Sequence, residues 1–102
     1  MASSSAKKET LPDVITKPLL IINKLGLHAR AAAKLVNTAS RYKSEVSISK
    51  DEQCVNGKSI MGVMMLAAAK GSTIVVITDG EDEASAMDAI ENLVATRFDE
   101  EE

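Results

Sequence analysis

The chain has 102 residues, of which 45% are hydrophobic, and a formal net charge of −3. This length fits one compact domain, and no apolar run approaches the roughly 20 residues that span a bilayer. The acidic balance, without a basic cluster or interleaved aromatics, argues against nucleic acid. We therefore expect neither a membrane nor a nucleic-acid partner.

The single cysteine, Cys54, bears on the compartment of the protein. One cysteine forms no internal disulfide, which fits a reducing cytosol. Residues 1–12 are not followed by the apolar segment of a secretory signal. We therefore expect a cytoplasmic protein, with Cys54 as a small buried or half-buried strand residue.

The predicted elements follow the order β-α-β-β-α-β-α. Residues 1–14 are polar and contain Pro12, so we predict a flexible tail there. Alternation and β-branched runs predict strands, and apolar residues at helical spacing predict helices. The expected strands cover 19–22, 45–49, 53–55 and 72–78, and the expected helices cover 29–42, 59–70 and 81–97. Antiparallel strands with helices packed on one face form a two-layer α+β domain, which we place at 15–98, before a solvated acidic tail at 99–102.

His28 is the only histidine, and it stands directly before the first predicted helix. A helix start presents unpaired N–H groups and a partial positive charge, which together favour anions. This field and nearby Arg30 should favour the neutral imidazole, whose free nitrogen lone pair can attack phosphorus. Arg30 offers a planar fork of donors to phosphoryl oxygens. A lone histidine at a helix start is also commonly a cap or surface residue, so these residues alone leave both interpretations open.

Ser59 stands at the expected N-cap of the second helix, where a plain capping role explains it. The segment that follows, residues 60–69, presents no polar face. A helix that is apolar all round cannot be fully buried in so small a domain. We therefore expect Ile60, Met61 and Met64 to form an exposed patch, since methionine-rich surfaces suit several partners.

Two stretches carry a resemblance to a known family. Residues 25–30, which read LGLHAR, resemble the active-site signature of HPr, the phosphocarrier of the bacterial phosphotransferase system. Residues 57–66, which read GKSIMGVMML, resemble the regulatory-serine motif of that family, and the AKG at 69–71 also fits it. The resemblance covers residues 15–98 and implies an open-faced sandwich, a four-stranded antiparallel sheet with three helices on one face.

The resemblance implies a covalent relay rather than a free-standing catalyst. His28 would accept a phosphoryl group on Nδ1 from enzyme I, which phosphoenolpyruvate charges, and would pass it to IIA-type proteins. Arg30 matches the phosphate-stabilising residue, and Ser59 matches the serine modified by HPr kinase/phosphorylase. The helix after Ser59 matches part of the surface that docks enzyme I and IIA proteins. No cofactor or metal is implied, and the carrier is expected to be a monomer.

Two departures and two alternatives accompany this resemblance. Ala31 stands where the family commonly has proline, so the first helical turn gains an N–H donor and gives up the fixed φ of proline. The chain also extends ahead of Ile15, near whose equivalent family members generally begin. The residues do not decide between sugar uptake and a nitrogen-related branch, nor name the IIA acceptors. A purely regulatory docking module is disfavoured because His28 and Arg30 are both present. A small hydrolase is disfavoured because no nucleophile–base pair exists.

Overall fold

The computed structural model describes residues 14–102. Within them an antiparallel four-stranded sheet is covered by three helices, so the predicted α+β class and element order are confirmed. The predicted tail over 1–14 lies outside the described residues, apart from Val14. The elements are β1 (Val14–Leu20), α1 (Ala29–Ala39), β2 (Glu45–Lys50), β3 (Gln53–Asn56), α2 (Ile60–Met65), β4 (Thr73–Asp79) and α3 (Glu83–Ala95).

The sheet has the strand order β1-β4-β2-β3, so β4 lies between β1 and β2. Alternate residues of β4 point to the helices: Ile74, Val76 and Thr78 are buried, whereas Val75 and Ile77 are only half-buried. This period of two is that of a strand with one covered face. Helices α1 and α3 pack against each other, α3 contacts β1 and β4, and α2 contacts α1 and β3. No helix within residues 14–102 is long and apolar enough to span a membrane.

The first strand begins and ends earlier than its apolar run predicts. We expected residues 19–22, but β1 covers Val14–Leu20 and includes Pro18 opposite Val75. Proline lacks the N–H that a central strand must donate, so it is restricted to edge strands and bulges. Because β1 pairs with β4 alone, it is an edge strand and accommodates Pro18.

The second helix is shorter than predicted. It ends at Met65 rather than near Lys70, and the next residues form a loop in which Ala67 has a φ of +49°. In this loop the carbonyl of Ala68 accepts a hydrogen bond from the Leu27 N–H at 2.9 Å. The three alanines favour a helix locally, but a tertiary hydrogen bond to the segment before His28 takes their backbone out of it.

The prediction for Cys54 was wrong, since this side chain is exposed. Cys54 lies on β3, which pairs with β2 alone and is the other edge strand. Its neighbour Val55 is half-buried and packs against the core. Because successive side chains point to opposite faces of a strand, the burial of Val55 leaves Cys54 outside.

Asp82 joins the start of α3 to the chain before β2. Its carboxylate accepts hydrogen bonds from Ser44 Oγ at 2.5 Å, Ser44 N at 2.9 Å and Lys43 N at 2.9 Å. These bonds, first the one from the Ser44 hydroxyl and then the one from the Lys43 backbone, lower the pKa of Asp82 from 3.8 to about 2. The ionised carboxylate therefore holds two distant segments together.

We expect the contribution of Asp82 to stability to be lost in acid. Its pKa is lower in the folded than in the unfolded chain, so the stabilisation is complete above about pH 4 and disappears as the pH falls towards 2. Urea denaturation of the wild type and Asp82→Asn between pH 6 and pH 2 measures this effect. The two stabilities should converge over that window, and a difference that stays constant with pH would contradict the assignment.

Candidate functional site

His28 occupies the N-cap position of α1, as predicted. Its backbone is extended, with φ −73° and ψ 179°, and its side chain makes no capping hydrogen bond. The His28 carbonyl accepts from the Ala32 N–H at 2.8 Å, which begins the helical ladder. The imidazole is therefore free of a structural role at the helix end, and it remains 29% exposed.

The segment that leads into His28 is held firmly in place. Gly26 has a φ of +67°, and a Cβ at this position would lie 2.5 Å from the Ala68 carbonyl oxygen. Leu27 is buried and donates its N–H to the same carbonyl. Asn23 closes the turn from the other side, since its Nδ2 donates to the Gly26 carbonyl at 2.9 Å. A close backbone approach that only glycine permits thus fixes the position of His28.

An open cavity of about 810 Å³ lies beside His28. Arg30, which is exposed, lines it together with Lys24 and Lys34, and residues 99–102 form another part of its wall. Arg30 makes no ion pair with any residue from 14 to 102, so its guanidinium can bind an incoming anion. The structure thus brings His28 and Arg30 together, whereas Ser59 does not line this cavity.

Glu100 contacts the imidazole directly, which the sequence did not predict. Its Oε2 lies 2.5 Å from His28 Nε2, and its Oε1 accepts from Asn23 Nδ2 at 3.0 Å. Burial works to raise the pKa of Glu100. Hydrogen bonds from Asn23 and His28, together with the charges of a protonated His28 and of Lys34, outweigh burial and lower this pKa. The Glu100 carboxylate is therefore ionised beside the ring.

A left-handed turn brings Glu100 to this position. Arg97, Phe98 and Asp99 have φ values of 58°, 54° and 62°, a conformation that costs roughly 1–2 kcal/mol per non-glycine residue. The Phe98 side chain is fully buried, and its carbonyl accepts from Lys34 Nζ at 2.7 Å. Core packing of this aromatic ring offsets the backbone strain. Glu100, which the sequence placed in a solvated acidic tail, is therefore folded back onto the site.

Ser59 caps the second helix, and the apolar residues after it are exposed, as the sequence predicted. Ser59 is the N-cap of α2, and its Oγ accepts from the Gly62 N–H at 3.1 Å. Ile60, Met61 and Met64 are all exposed, Met61 by 75%, whereas Val63 on the opposite side of the helix is fully buried. Met65 is also exposed, by 64%. We call Ile60, Met61, Met64 and Met65 the α2 patch.

One feature of the sequence, the aromatic residue Phe98, could have indicated the contact between Glu100 and His28. Phe98 is one of only two aromatic residues in the chain, and so large an apolar side chain near an acidic ending is expected to be buried. Its burial would have placed the acids that follow beside the core. Asn23 gave no comparable signal, since an asparagine after a strand also suits an ordinary turn. Within residues 14–102, no group of three or more His, Cys, Asp or Glu residues could hold a metal ion.

Comparison with known proteins identifies the family of the chain and agrees with this fold. Residues 15–96 match the family model described as "PTS HPr component phosphorylation site". The phosphocarrier protein HPr of Neisseria meningitidis serogroup A is 56% identical over 89 residues, covering 87% of this chain and all of that protein.

Solved structures are similar as well. The crystal structure of HPr-C-His from Thermoanaerobacter tengcongensis aligns with a TM-score of 0.83 and 41% identity, over 86% of this chain and 99% of that one. An HPr dimer from the same organism aligns with a TM-score of 0.69 and 43% identity, over 80% of this chain and 94% of that one.

A single-domain α+β sandwich with this site, whose relatives are named phosphocarrier proteins, defines a phosphoryl carrier rather than a catalyst. The chain belongs to the HPr family of the phosphotransferase system.

Proposed function

We propose that His28 carries the phosphoryl group on Nδ1, receiving it from phosphorylated enzyme I and passing it to IIA-type proteins. The observation that carries this proposal is the contact between Nε2 and Glu100 at 2.5 Å. It occupies one ring nitrogen, and no described residue bonds the other. Nδ1 is therefore the nitrogen that remains available as the nucleophile.

The cations that line the cavity beside His28 suit an incoming phosphoryl group, although the acidic residues 99–102 line it too. The Nδ1 lone pair attacks phosphorus, the bond between phosphorus and the donor nitrogen breaks, and its electron pair returns to the donor. Arg30 occupies the N2 position of α1 and lines the cavity beside His28. Its guanidinium can offer paired N–H donors to the phosphoryl oxygens. Unpaired N–H groups of the first helical turn add a partial positive charge on the same side.

Intact-mass spectrometry tests the relay. The full chain is incubated with enzyme I and phosphoenolpyruvate and should gain one phosphoryl group that is stable in alkali and labile in acid. Addition of a IIA protein should then remove the group and transfer it to the acceptor. A chain that gains no phosphate, or gains only acid-stable phosphate, would contradict the proposed relay.

The α2 patch supports a docking role. Four large apolar side chains are exposed on one short helix, and exposed apolar patches commonly mark interaction sites. We assign Ile60, Met61 and Met64 to the contact with enzyme I and IIA proteins. We also place the carrier in the cytoplasm as a monomer, where its single exposed cysteine stays reduced.

Ser59 is our candidate for regulation by HPr kinase/phosphorylase. Its hydroxyl is bonded only to the Gly62 N–H and adjoins Ile60 and Met61 in the chain. A phosphate there places a dianion at the edge of the α2 patch, and that charge must lose water when an apolar partner surface docks. Phosphorylation should therefore weaken docking and leave the chemistry at His28 unchanged.

We expect Ser59→Asp to weaken binding to enzyme I by about tenfold, which corresponds to about 1.4 kcal/mol. Ser59→Asn is the matched control, because asparagine and aspartate are equally good N-caps and differ here in charge. Titration of enzyme I against the three proteins, with initial rates of His28 phosphorylation, separates affinity from maximal rate. Equal affinities with a lower maximal rate for Ser59→Asp would contradict docking inhibition.

A further inference from the structure

We propose that Glu100 is the positioning residue of this site: it holds a proton on His28 Nε2, so that Nδ1 is the reactive nitrogen in both halves of the relay. This inference rests on the proposed function and extends it to a residue 72 positions away along the chain. It also includes Asn23, which holds the carboxylate in place. The cluster Asn23, Glu100 and His28 is thus one hydrogen-bonded unit.

The distance requires a proton between the two groups. An ionised carboxylate has no hydrogen to donate, and the Glu100 pKa lies below its ordinary value. A separation of 2.5 Å between Glu100 Oε2 and a ring nitrogen that carried only a lone pair would set two acceptors against each other. The hydrogen must therefore reside on Nε2, and the neutral ring then has its lone pair on Nδ1.

Asn23 is oriented in one way only. Its Nδ2 donates both to the Gly26 carbonyl and to Glu100 Oε1, at 2.9 and 3.0 Å. Turning the amide over would place its oxygen against two acceptors. Asn23 is fully buried, and its Oδ1 has no partner among the described residues, so a buried acceptor is left unsatisfied in order to present both N–H groups. This arrangement fixes which Glu100 oxygen faces the ring.

The backbone also supports the position of Glu100. The left-handed turn at 97–99 reverses the chain, the buried Phe98 anchors it, and Lys34 binds the Phe98 carbonyl from α1. Glu100 itself is only 17% exposed on its side chain. A carboxylate held by core packing and by a buried amide is preorganised, which is what a positioning residue requires.

The proton on Nε2 serves both transfers. When Nδ1 bonds to phosphorus, the ring retains Nε2–H and becomes positively charged, and the Glu100 carboxylate neutralises that charge. When the group leaves, the bond from Nδ1 to phosphorus breaks, its electron pair returns to Nδ1, and the leaving group is a neutral imidazole. Without the proton the leaving group would be an anionic ring, which is far less stable. Glu100 thus favours acceptance and donation alike.

Glu100→Gln gives the sharpest test, because Asn23 dictates how glutamine must sit. Asn23 Nδ2 requires an acceptor opposite it, so the glutamine oxygen must face Asn23 and its NH₂ must face His28. Nε2 then becomes an acceptor and the proton moves to Nδ1. Glu101→Gln is the matched control, since Glu101 lines the same cavity and makes no hydrogen bond or ion pair to His28.

Nitrogen-15 chemical shifts of the unphosphorylated full chain report the proton directly, and the single histidine makes their assignment unambiguous. In neutral rings, the wild type and Glu101→Gln should carry the proton on Nε2, and Glu100→Gln on Nδ1. The maximal rate of phosphorylation by enzyme I should fall about a hundredfold or more in Glu100→Gln, with unchanged affinity for enzyme I. Wild-type shifts and rates in Glu100→Gln would overturn this inference.

These measurements can refute the positioning role of Glu100 without refuting the phosphoryl relay, and the reverse also holds. If the wild type gains no phosphate on His28, the proposed function fails, whatever the tautomer is. If the wild type is phosphorylated while Glu100→Gln matches Glu101→Gln in shifts and maximal rate, the role of Glu100 fails and the relay stands. A lower affinity for enzyme I with an unchanged maximal rate would make Glu100 a docking residue and would equally overturn its positioning role.

Discussion

Replacing His28 with alanine is expected to abolish acid-labile phosphorylation and leave the domain folded. The chain has no second histidine, so no other imidazole can accept the group. The side chain makes no capping bond to α1 but is hydrogen-bonded to the Glu100 carboxylate, so its removal should lower the free energy of unfolding by about 1–3 kcal/mol and leave the core packing in place. Intact-mass spectrometry with enzyme I and phosphoenolpyruvate measures phosphorylation, and circular dichroism measures folding.

Ser59→Ala is the control for this experiment. It removes the other proposed phosphorylation site and should still accept one acid-labile phosphoryl group from enzyme I. Acid-labile phosphate on the His28→Ala chain would refute His28 as the carrier residue. Loss of that phosphate from Ser59→Ala at normal folding would show instead that the Ser59 hydroxyl is needed for the reaction with enzyme I.

We expect Gly26→Ala to destabilise the domain by about 2–4 kcal/mol, from a left-handed backbone and a steric clash combined. The φ at Gly26 is +67°, and the new methyl would lie 2.5 Å from the Ala68 carbonyl oxygen and 2.9 Å from the Ala69 Cα. Both atoms belong to the backbone, so the clash cannot be relieved by a side-chain rotation. Urea denaturation gives the change in the free energy of unfolding.

Gly71→Ala separates the two contributions. Gly71 also has a positive φ, of +91°, but nothing lies within 4 Å of a Cβ placed there. This variant should lose only the backbone component, about 1 kcal/mol. If Gly26→Ala lowers the free energy of unfolding by no more than Gly71→Ala does, the close approach to the Ala68 carbonyl does not constrain the segment before His28. In that case Gly26→Ala should also be phosphorylated at the wild-type rate, because His28 would not be displaced.

The sequence predicted the fold well where the signal was local. The alternation in β2 and β4 and the helical spacing in α1 follow directly from which side chains face the core. The errors arose where a distant partner decided the outcome. The first strand is predicted to begin at residue 19, after Pro18, because the sequence does not show that this proline lies on an edge strand. The second helix is predicted too long because the sequence does not show the hydrogen bond from Leu27 to Ala68.

The candidate site shows the same division. His28 and Arg30 are two positions apart, and both follow from the chemistry of a helix start. Glu100 is 72 positions from His28 and reaches it through a left-handed turn of three non-glycine residues. Local propensity disfavours that turn, so no pattern of neighbouring residues predicts it. Only the burial of Phe98, a tertiary event, brings the carboxylate to the imidazole.

The central position of β4 in the sheet has a consequence for the order of folding. During synthesis β1 is made first, but its only partner strand is completed some 60 residues later, and β2 can pair at first with β3 alone. Pairings between residues far apart in sequence form slowly, because a long loop must close first. His28 therefore emerges long before β4, which completes the sheet, and before the Glu100 carboxylate that contacts its ring. A nascent chain therefore exposes His28 before the rest of the candidate site has formed, and the proposed relay should become competent only when the last residues fold back.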